Sequence, residues 1–537
     1  MKETIEAILV AFMLAFIFRA FVVEAFVIPT GSMAPTLLGA HMRFRCPDCG
    51  YRFDVNYQGE GGPDDANIDT HADGRRYAIF CPNCGYRMPL VNAVDPDNDA
   101  TAPETRYGDR ILVLKYLYLF QEPSRWDVVV FKSPYDPGRY DYSQNYIKRL
   151  VGKPNESILI LDGDVYVGKG EDLSTFQVQT KPRKVQQSLW RIVYDNDFQP
   201  RGADRTELRD SWDNVFADPP WQEPWRQMPE QAGWTMGGPV PNNRNLNFDN
   251  LQGAATIFYD ANANPKKFAL TDWLAYDVTE NQGPGGDRDT FRRNPVPPEN
   301  NVSDVMLEFF YDRQEGDGPL DVELTKLDDH FQVEIGPTSV TLFMNGSPVG
   351  DPKPLPAKSG PRHVEISNVD YHFSVRIDET EVLATTPKDY HPNVTALLRA
   401  FQDNVHPSKP EIRIRGQRQR ATLSHVRLWR DTYYLNRERP GQNPILWATP
   451  LAFPSGIMKL GPDEFFVLGD NSAVSLDARY WHEPIELEHE HLSVAAGRVP
   501  RRFMLGKAFF VYWPAGYRPL DSAPALIPNF GDMRFIH

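Results

Sequence analysis

Cysteine is scarce: the 537 residues hold four, all between positions 46 and 84. So small and local a set excludes a chain-wide disulfide scaffold. A basic surplus is also missing, since 57 Lys and Arg face 72 Asp and Glu for a net charge of -15. That balance argues against a nucleic-acid-binding protein, which would carry a basic patch or stripe, and otherwise means solubility. The 47 prolines and 37 glycines, with 12% aromatic residues, leave helix as the minor element of a loop-rich, mainly β chain. The length is too great for one core and predicts two to four domains.

What stands out first is an apolar run over residues 7–23, AILVAFMLAFIFRAFVV, broken by one charge, Arg19. With Ile5 and residues 25–28 it reaches about 24 residues, or roughly 36 Å as a helix, against a hydrocarbon core of about 30 Å. Arg19 would snorkel to an interface. The expectation is a retained single-pass anchor; the competing one is a cleaved leader ending near Val23-Glu24-Ala25. Lys2 is offset by Glu3 and Glu6, so charge gives no orientation.

Directly after this run comes IPTGSMAPT, residues 28–36. Pro29 and Pro35 forbid a continuing helix and Gly31 permits close backbone approach, so Ser32 is expected on an exposed, non-helical segment. A nucleophile can work there, although a lone serine is usually a solvated loop residue.

The cysteines form two near copies, CPDCGYR at 46–52 and CPNCGYR at 81–87. Each Cys-x-x-Cys-Gly turn aims two thiolates and successive backbone amides at one point, and two turns complete a four-thiolate zinc site through Cys46, Cys49, Cys81 and Cys84. Such a site is structural, with no position left for substrate. Two disulfides are the alternative. The long Gly- and Asp-rich segment between the pairs should project as a flexible excursion, and His41 and His71 read as surface residues.

Further on, YGDRILVL at 107–114 reads as a turn feeding a strand, and WDVVVF at 126–131 as a buried strand. In NYIKRLVGKP, residues 145–154, Lys148 sits among Ile147, Leu150 and Val151. A dehydrated lysine loses its preference for the charged form and can serve as a general base; a strand lysine pointing outward is the plain alternative. Near the carboxyl end, FFVLGDNSAVSLDARYW at 465–481 joins an apolar strand to a dense polar turn.

Taken in order, the anchor, PTGSMAPT, YGDRILV, YIKRLVGKP, GDNSAVSLDARYW, and VPRR at 499–502 with GKAFF at 506–510 resemble type I signal peptidases, the membrane-anchored serine endopeptidases that remove signal peptides from exported proteins. The resemblance implies Ser32 as nucleophile and Lys148 as base. It also implies Thr30 and the Ser32 amide as oxyanion donors, and Ser475 as the hydroxyl that orients the lysine. Asp477 and Arg479 match the family's Asp and Arg, with Asp470 and Asn471 in the supporting turn. It further implies exported preproteins as substrates, cleavage after small-x-small sequences, no catalytic cofactor, and a place in the inner membrane with the catalytic part on the outer, periplasmic side. Residues 26–28 and Met33 are expected as an apolar edge dipping toward the bilayer. Three departures occur: Ala478 where the family has Ser, Asn155-Glu156 where it has Gly-Asp, and His482 where it has Gly.

Between about 172 and 440 alternation takes over: Val333 and Ile335, VTLFM at 340–344, the turn Asn345-Gly346, then HVEI at 363–366, FSVRI at 373–377 and LSHVRLWRD at 423–431. Asn-Gly between alternating strands is a strong hairpin signal. Seven of the eleven tryptophans fall between 190 and 429, as a separate aromatic core requires. The strand pattern is similar to a laminin-G or concanavalin-like β-sandwich, a class that binds sugars or peptides, so a glycan or protein ligand is one expectation and a ligand-free spacer the other. Residues 283–301 read as a loop across it.

The expected organisation is a mainly β protein with a signal-peptidase-type core. An anchor takes 1–25, the core takes 26–45, 91–171 and 441–537, a zinc-ribbon-like module takes 46–90, and a sandwich takes 172–440. Two rivals remain at this stage. A Ser/Lys self-cleaving repressor domain fails for want of a DNA-binding helix pair, and a membrane-tethered lectin-like receptor with a dead peptidase core is separated only by assay.

Overall fold

The strand Val128–Lys132, VVVFK, is apolar on both faces because both are covered. It lies inside an antiparallel sheet whose order is Val23–Val27, Arg110–Leu114, Met504–Trp513, Val128–Lys132, Asn145–Gly152, Glu464–Leu468 and Val499–Pro500. Chain ends far apart in sequence therefore meet, with Arg110–Leu114 pairing on one side with Val23–Val27 and on the other with Met504–Trp513. This computed structural model describes residues 4–6, 8–13, 22–56, 79–86, 104–134, 144–200, 221–236, 244–264, 268–277, 300–437, 444–487, 492–514 and 529–537.

About half of the expected anchor lies outside the described residues, as do Arg19, His71, the excursion between the cysteine pairs and most of the loop at 283–301. Residues 4–6 and 8–13 are helical and expose Ile8, Leu9, Val10, Phe12 and Met13. Among the described residues no helix is long and apolar enough to cross a membrane. The apolar run expected to extend to residue 28 is shorter than its hydropathy suggests, because Val23–Val27 is spent as a strand. Ile28 and Met33, expected at the bilayer edge, are instead fully buried against Ile111, Val113 and Val511.

A second sheet, Gln177–Val178, Asp164–Gly168, Ser157–Leu161 and Met458–Lys459, packs its outer face against the helix Val394–Gln402. Asn393 caps that helix by accepting from the Ala396 amide. A third, Arg52–Asn56, His41–Arg45 and Glu104–Arg106, carries the cysteine turns. Here a reading is corrected: His41 is buried, not on the surface, because its strand is the centre of that sheet. Its Nδ1 meets Gly39 O at 2.8 Å, and burial lowers its pKa.

The large insertion is β-sandwich-like. Its axis is the strand Ile412–Arg430, which breaks step at Arg418, where φ is 38°. Residues 412–416 pair with Leu320–Lys326, and residues 419–430 with Val305–Gly316. From the first partner the sheet runs through Asp329–Ile335 to Ser339–Met344, and from the second through Arg362–Val369 to His372–Ile377 and Thr380–Ala384. Leu246–Tyr259 closes the other edge of the axis. Phe248, Phe309, Phe331 and Phe373 are among the side chains buried in its core. Asn345 and Gly346, both at positive φ, form the expected tight turn into Ser347–Pro348.

Buried ion pairs brace the insertion internally, and one of them, Lys326 to Asp164, joins it to the rest. Lys326 binds Asp164 at 3.0 Å and also Asp304, and Lys181 binds Asp370 and, at 2.8 Å, Asp431.

Candidate active site

Ser32 lies in one turn of 3-10 helix, Gly31–Met33, rather than on the non-helical segment expected, and is half-buried. The prolines do limit this helix to a single turn. Lys148 comes from the strand Asn145–Gly152, where Val129 is its cross-strand partner. Its Nζ donates to Ser32 Oγ at 2.7 Å across 116 positions of sequence. Lys148 is only 5% exposed, and burial pulls its pKa down to about 8.

Asp477 and Asp470 act on the same ammonium and would raise that value, but each is held by an arginine. Asp477 receives Arg479 Nε at 2.8 Å and Nη2 at 2.8 Å, and accepts the Gly469 amide at 2.9 Å. Asp470 receives Arg149 Nε at 2.6 Å and Nη2 at 2.7 Å, so both carboxylates are neutralised by two-pronged pairs. Arg479 is itself anchored on Leu435 O and Ser472.

The turn after Glu464–Leu468 grips the serine segment directly. The Asn471 amide donates to Ser32 O at 3.1 Å, and Asn471 Nδ2 donates to Gly31 O at 3.2 Å and Asp277 Oδ1 at 2.6 Å. A Cβ at Gly469 would stand 2.6 Å from Ser32 O and 2.1 Å from Ser475 Oγ, so only glycine lets the two segments meet. Thr30 is exposed beside the serine, with 3.4 Å between the two hydroxyl oxygens. Ser475 is buried in the same turn, but among the described residues its Oγ has no hydrogen-bond partner, and the expected bond to Lys148 is not formed. Ala478 is fully buried. Asn155 keeps the turn at a φ of 64°, and Glu156 Oε2 caps the Lys153 amide at 2.7 Å.

Sequence reasoning missed four contributors. Arg149 had a signal: an arginine in an apolar strand needs a buried carboxylate, and the Gly-Asp-Asn turn offers one. Tyr276 and Asp277 had none, because their partners are remote; Tyr276 packs on Gly31, where a Cβ would come within 2.4 Å of its ring. Arg191 Nη2 likewise reaches Ala34 O at 2.9 Å and Asp470 O at 3.2 Å.

The cysteine turns have matching geometry. Cys46 N donates to Tyr51 O at 2.8 Å and Cys81 N to Tyr86 O at 2.9 Å, while Gly50 and Gly85 take φ values of 81° and 72°. The four Sγ atoms lie within 4.8 Å of one another, with Cys46 to Cys84 and Cys49 to Cys81 both at 3.7 Å. A tetrahedron with metal–sulfur bonds of about 2.3 Å has edges of about 3.8 Å, so the donors present fit a tetrathiolate ion. They are too far apart for disulfides, which need about 2.05 Å.

A serine hydroxyl hydrogen-bonded to a buried, weakly basic lysine defines a class of site, that of hydrolases acting through a Ser/Lys pair. The sequence matches the family described as Signal peptidase, peptidase S26 over residues 1–53, 79–242 and 410–513, and the chain belongs to that family. It is 35% identical over 89 residues to probable signal peptidase I-2 of Synechocystis sp., covering 17% of this chain and 33% of that protein. It is 30% identical over 104 residues to the chloroplastic thylakoidal processing peptidase 1 of Arabidopsis thaliana, covering 18% and 31%. It is also 37% identical over 75 residues to signal peptidase I of Pseudomonas aeruginosa, covering 14% and 22%. The chain thus spans about a third or less of the length of these relatives. The carbohydrate-binding module CBM66 of Bacillus subtilis superposes with a TM-score of 0.21 at 11% identity, over 38% of this chain and 94% of that one.

Proposed function

We propose that the chain is a signal peptidase I: a serine endopeptidase that removes signal peptides from exported preproteins at a membrane surface. The observation that carries this reading is the 2.7 Å contact between Ser32 Oγ and a buried Lys148 within the family-matched segments. Neutral Lys148 takes the Ser32 proton as Oγ attacks the scissile carbonyl. The Ser32 amide and the Thr30 hydroxyl then hold the oxyanion, Lys148 passes the proton to the departing amine as the C–N bond breaks, and water activated by the again neutral lysine hydrolyses the acyl-enzyme and restores Ser32. Substrate binds as an added strand, with small residues flanking the cut.

The supporting set has defined duties in this reading. Asp477 with Arg479 and Asp470 with Arg149 hold the turn rigid, and Asn471 sets the Ser32 backbone. Ser475 keeps its hydroxyl for the lysine once substrate is bound. Residues 26–45, 91–171 and 441–537 make up the catalytic core, 46–90 a zinc-binding module and 172–440 the inserted sandwich, which is open to a glycan or protein ligand. Residues 1–22 anchor the chain in the inner membrane with the core outside. Cys46, Cys49, Cys81 and Cys84 hold one structural zinc ion, which supplies cross-linking and no chemistry.

The test is cleavage of a preprotein by the purified chain. Ser32→Ala and Lys148→Ala should each lower cleavage about 10⁴-fold or more with unchanged melting. Full activity in either variant removes the pair from the mechanism.

A further inference from the structure

Beside the serine segment lies a cavity of about 500 Å³ lined by Ala34, Pro35 and Leu38, the cysteine module and the insertion, with neither Ser32 nor Lys148 in its wall. This is within the size range of small-molecule sites, roughly 300–1,000 Å³. Five arginines line it: Arg43 is paired with Asp54 and Asp532 and Arg534 with Asp109 of the same wall, Arg52 is exposed, and the buried Arg191 and Arg430 are direct cross-strand partners in the pairing of Arg191–Asp195 with Ile412–Arg430. Like charges set opposite one another repel. Here both are also out of water, at 8% and 5% exposure.

Neither makes a direct ion pair among the described residues. Arg430 donates only to backbone, to Asp431 O at 2.9 Å and Trp273 O at 2.6 Å. Arg191 uses Nη2 for Ala34 O and Asp470 O, while its Nε and Nη1 are buried without a partner. The carboxylates that act on them from a distance are bonded elsewhere, Asp470 to Arg149, Asp431 to Lys181, Asp272 to Asn300 and Asp277 to Asn471. Burial pulls Arg191 down to about 10 and Arg430 to about 9, the latter pushed further by Arg191, so both still carry charge at neutral pH. A buried charge without a partner is strongly unfavourable, and a bound anion removes that penalty. The same wall carries Trp190, Trp273, Trp429 and Tyr276.

We propose that this cavity binds a small organic anion, with a carboxylate or phosphate head on Arg191 and Arg430 and an apolar or aromatic body against Trp273, Trp190 and Trp429. The site is distinct from the cleft at Ser32, although the Arg191 guanidinium touches both of the segments that form that cleft. It stands independently of the peptidase reading, because nothing in its chemistry uses Ser32 or Lys148.

Binding is read by tryptophan fluorescence and melting temperature on the full chain, using 2-naphthoate, 2-naphthyl phosphate and the neutral 2-naphthamide. At least one anion should saturate at one per chain, raise the melting temperature and bind at least tenfold tighter than the amide; which anion is tighter identifies the head group. Arg430→Met should weaken it at least tenfold, and Leu274→Trp, which fills the cavity and leaves both arginines, should do the same. Ser32→Ala should bind as the wild type does. Equal affinity for the neutral amide, unchanged affinity in a folded Arg430→Met variant, or no anion binding at millimolar concentration would each overturn the proposal. A void without a ligand predicts the opposite pattern in stability: Arg430→Met would melt higher than the wild type, and anions would leave wild-type melting unmoved.

Discussion

Lys148 is where residue-level chemistry decides the behaviour of the site. Its dehydration was legible in its neighbours, since Ile147, Leu150 and Val151 are apolar and a lysine among them has little water. What could not be read was the balance against two nearby carboxylates, because Arg149 and Arg479, which neutralise them, become neighbours only in the fold. The outcome is a pKa of about 8 against an ordinary 10.5. A base must be unprotonated, so with the folded value lowered to about 8, kcat/KM for preprotein cleavage should rise about tenfold per pH unit below that point and level off above it. A profile that is flat between pH 6 and 8, with cleavage itself rate-limiting, would exclude Lys148 as the titrating base. Ser475 shows the opposite limit. Its role was inferred from position in a motif, and the side chain is indeed buried in the right turn, but the bond to the lysine is not made.

Local elements were legible where the signal was local. The two Cys-x-x-Cys-Gly copies fold as copies because each satisfies its own backbone within five residues, and Asn345-Gly346 turns its hairpin because both residues take a positive φ. His41 was not, since its burial comes from Arg52–Asn56 on one side and Glu104–Arg106 on the other. The cysteine module has a small core, with Met42, Phe44, Phe53, Val55 and Ile79 packed around the thiols. A core that small depends on a cross-link. The purified chain should therefore hold about one zinc ion with four thiols free after denaturation in chelator. Cys81→Ser should lose the metal and melt lower, while retaining far more cleavage activity than Ser32→Ala, because the module carries no reacting group. Retention of zinc by Cys81→Ser, or two disulfides in place of metal, would refute the tetrathiolate assignment.

At the scale of the molecule, the order of motifs announces a catalytic core with two interruptions, and one antiparallel sheet gathers strands from residues 23–27, 110–152 and 464–513. The contacts between the parts were not legible, because each joins positions more than 150 residues apart through single side chains: Asp277 to Asn471, Tyr276 to Gly31, Arg191 to Ala34. Composition marks the insertion as a separate core and says nothing of what it touches. In the fold it backs the segment that carries Ser32. Asn471 uses one amide to hold both Gly31 O and Asp277, so loss of the Asp277 carboxylate frees the group that positions the Ser32 backbone. Losing one buried hydrogen bond of this kind costs about 1–3 kcal/mol, which corresponds to roughly tenfold to a hundredfold in rate if it is felt in the transition state. Asp277→Ala and Tyr276→Ala should therefore lower kcat by that amount with KM little changed, while Asn345→Ala, at the far hairpin of the same insertion, should leave kcat alone. If all three variants cleave like the wild type while remaining folded, the insertion is a passenger on the peptidase core, and Ser32 is set by the core's own strands.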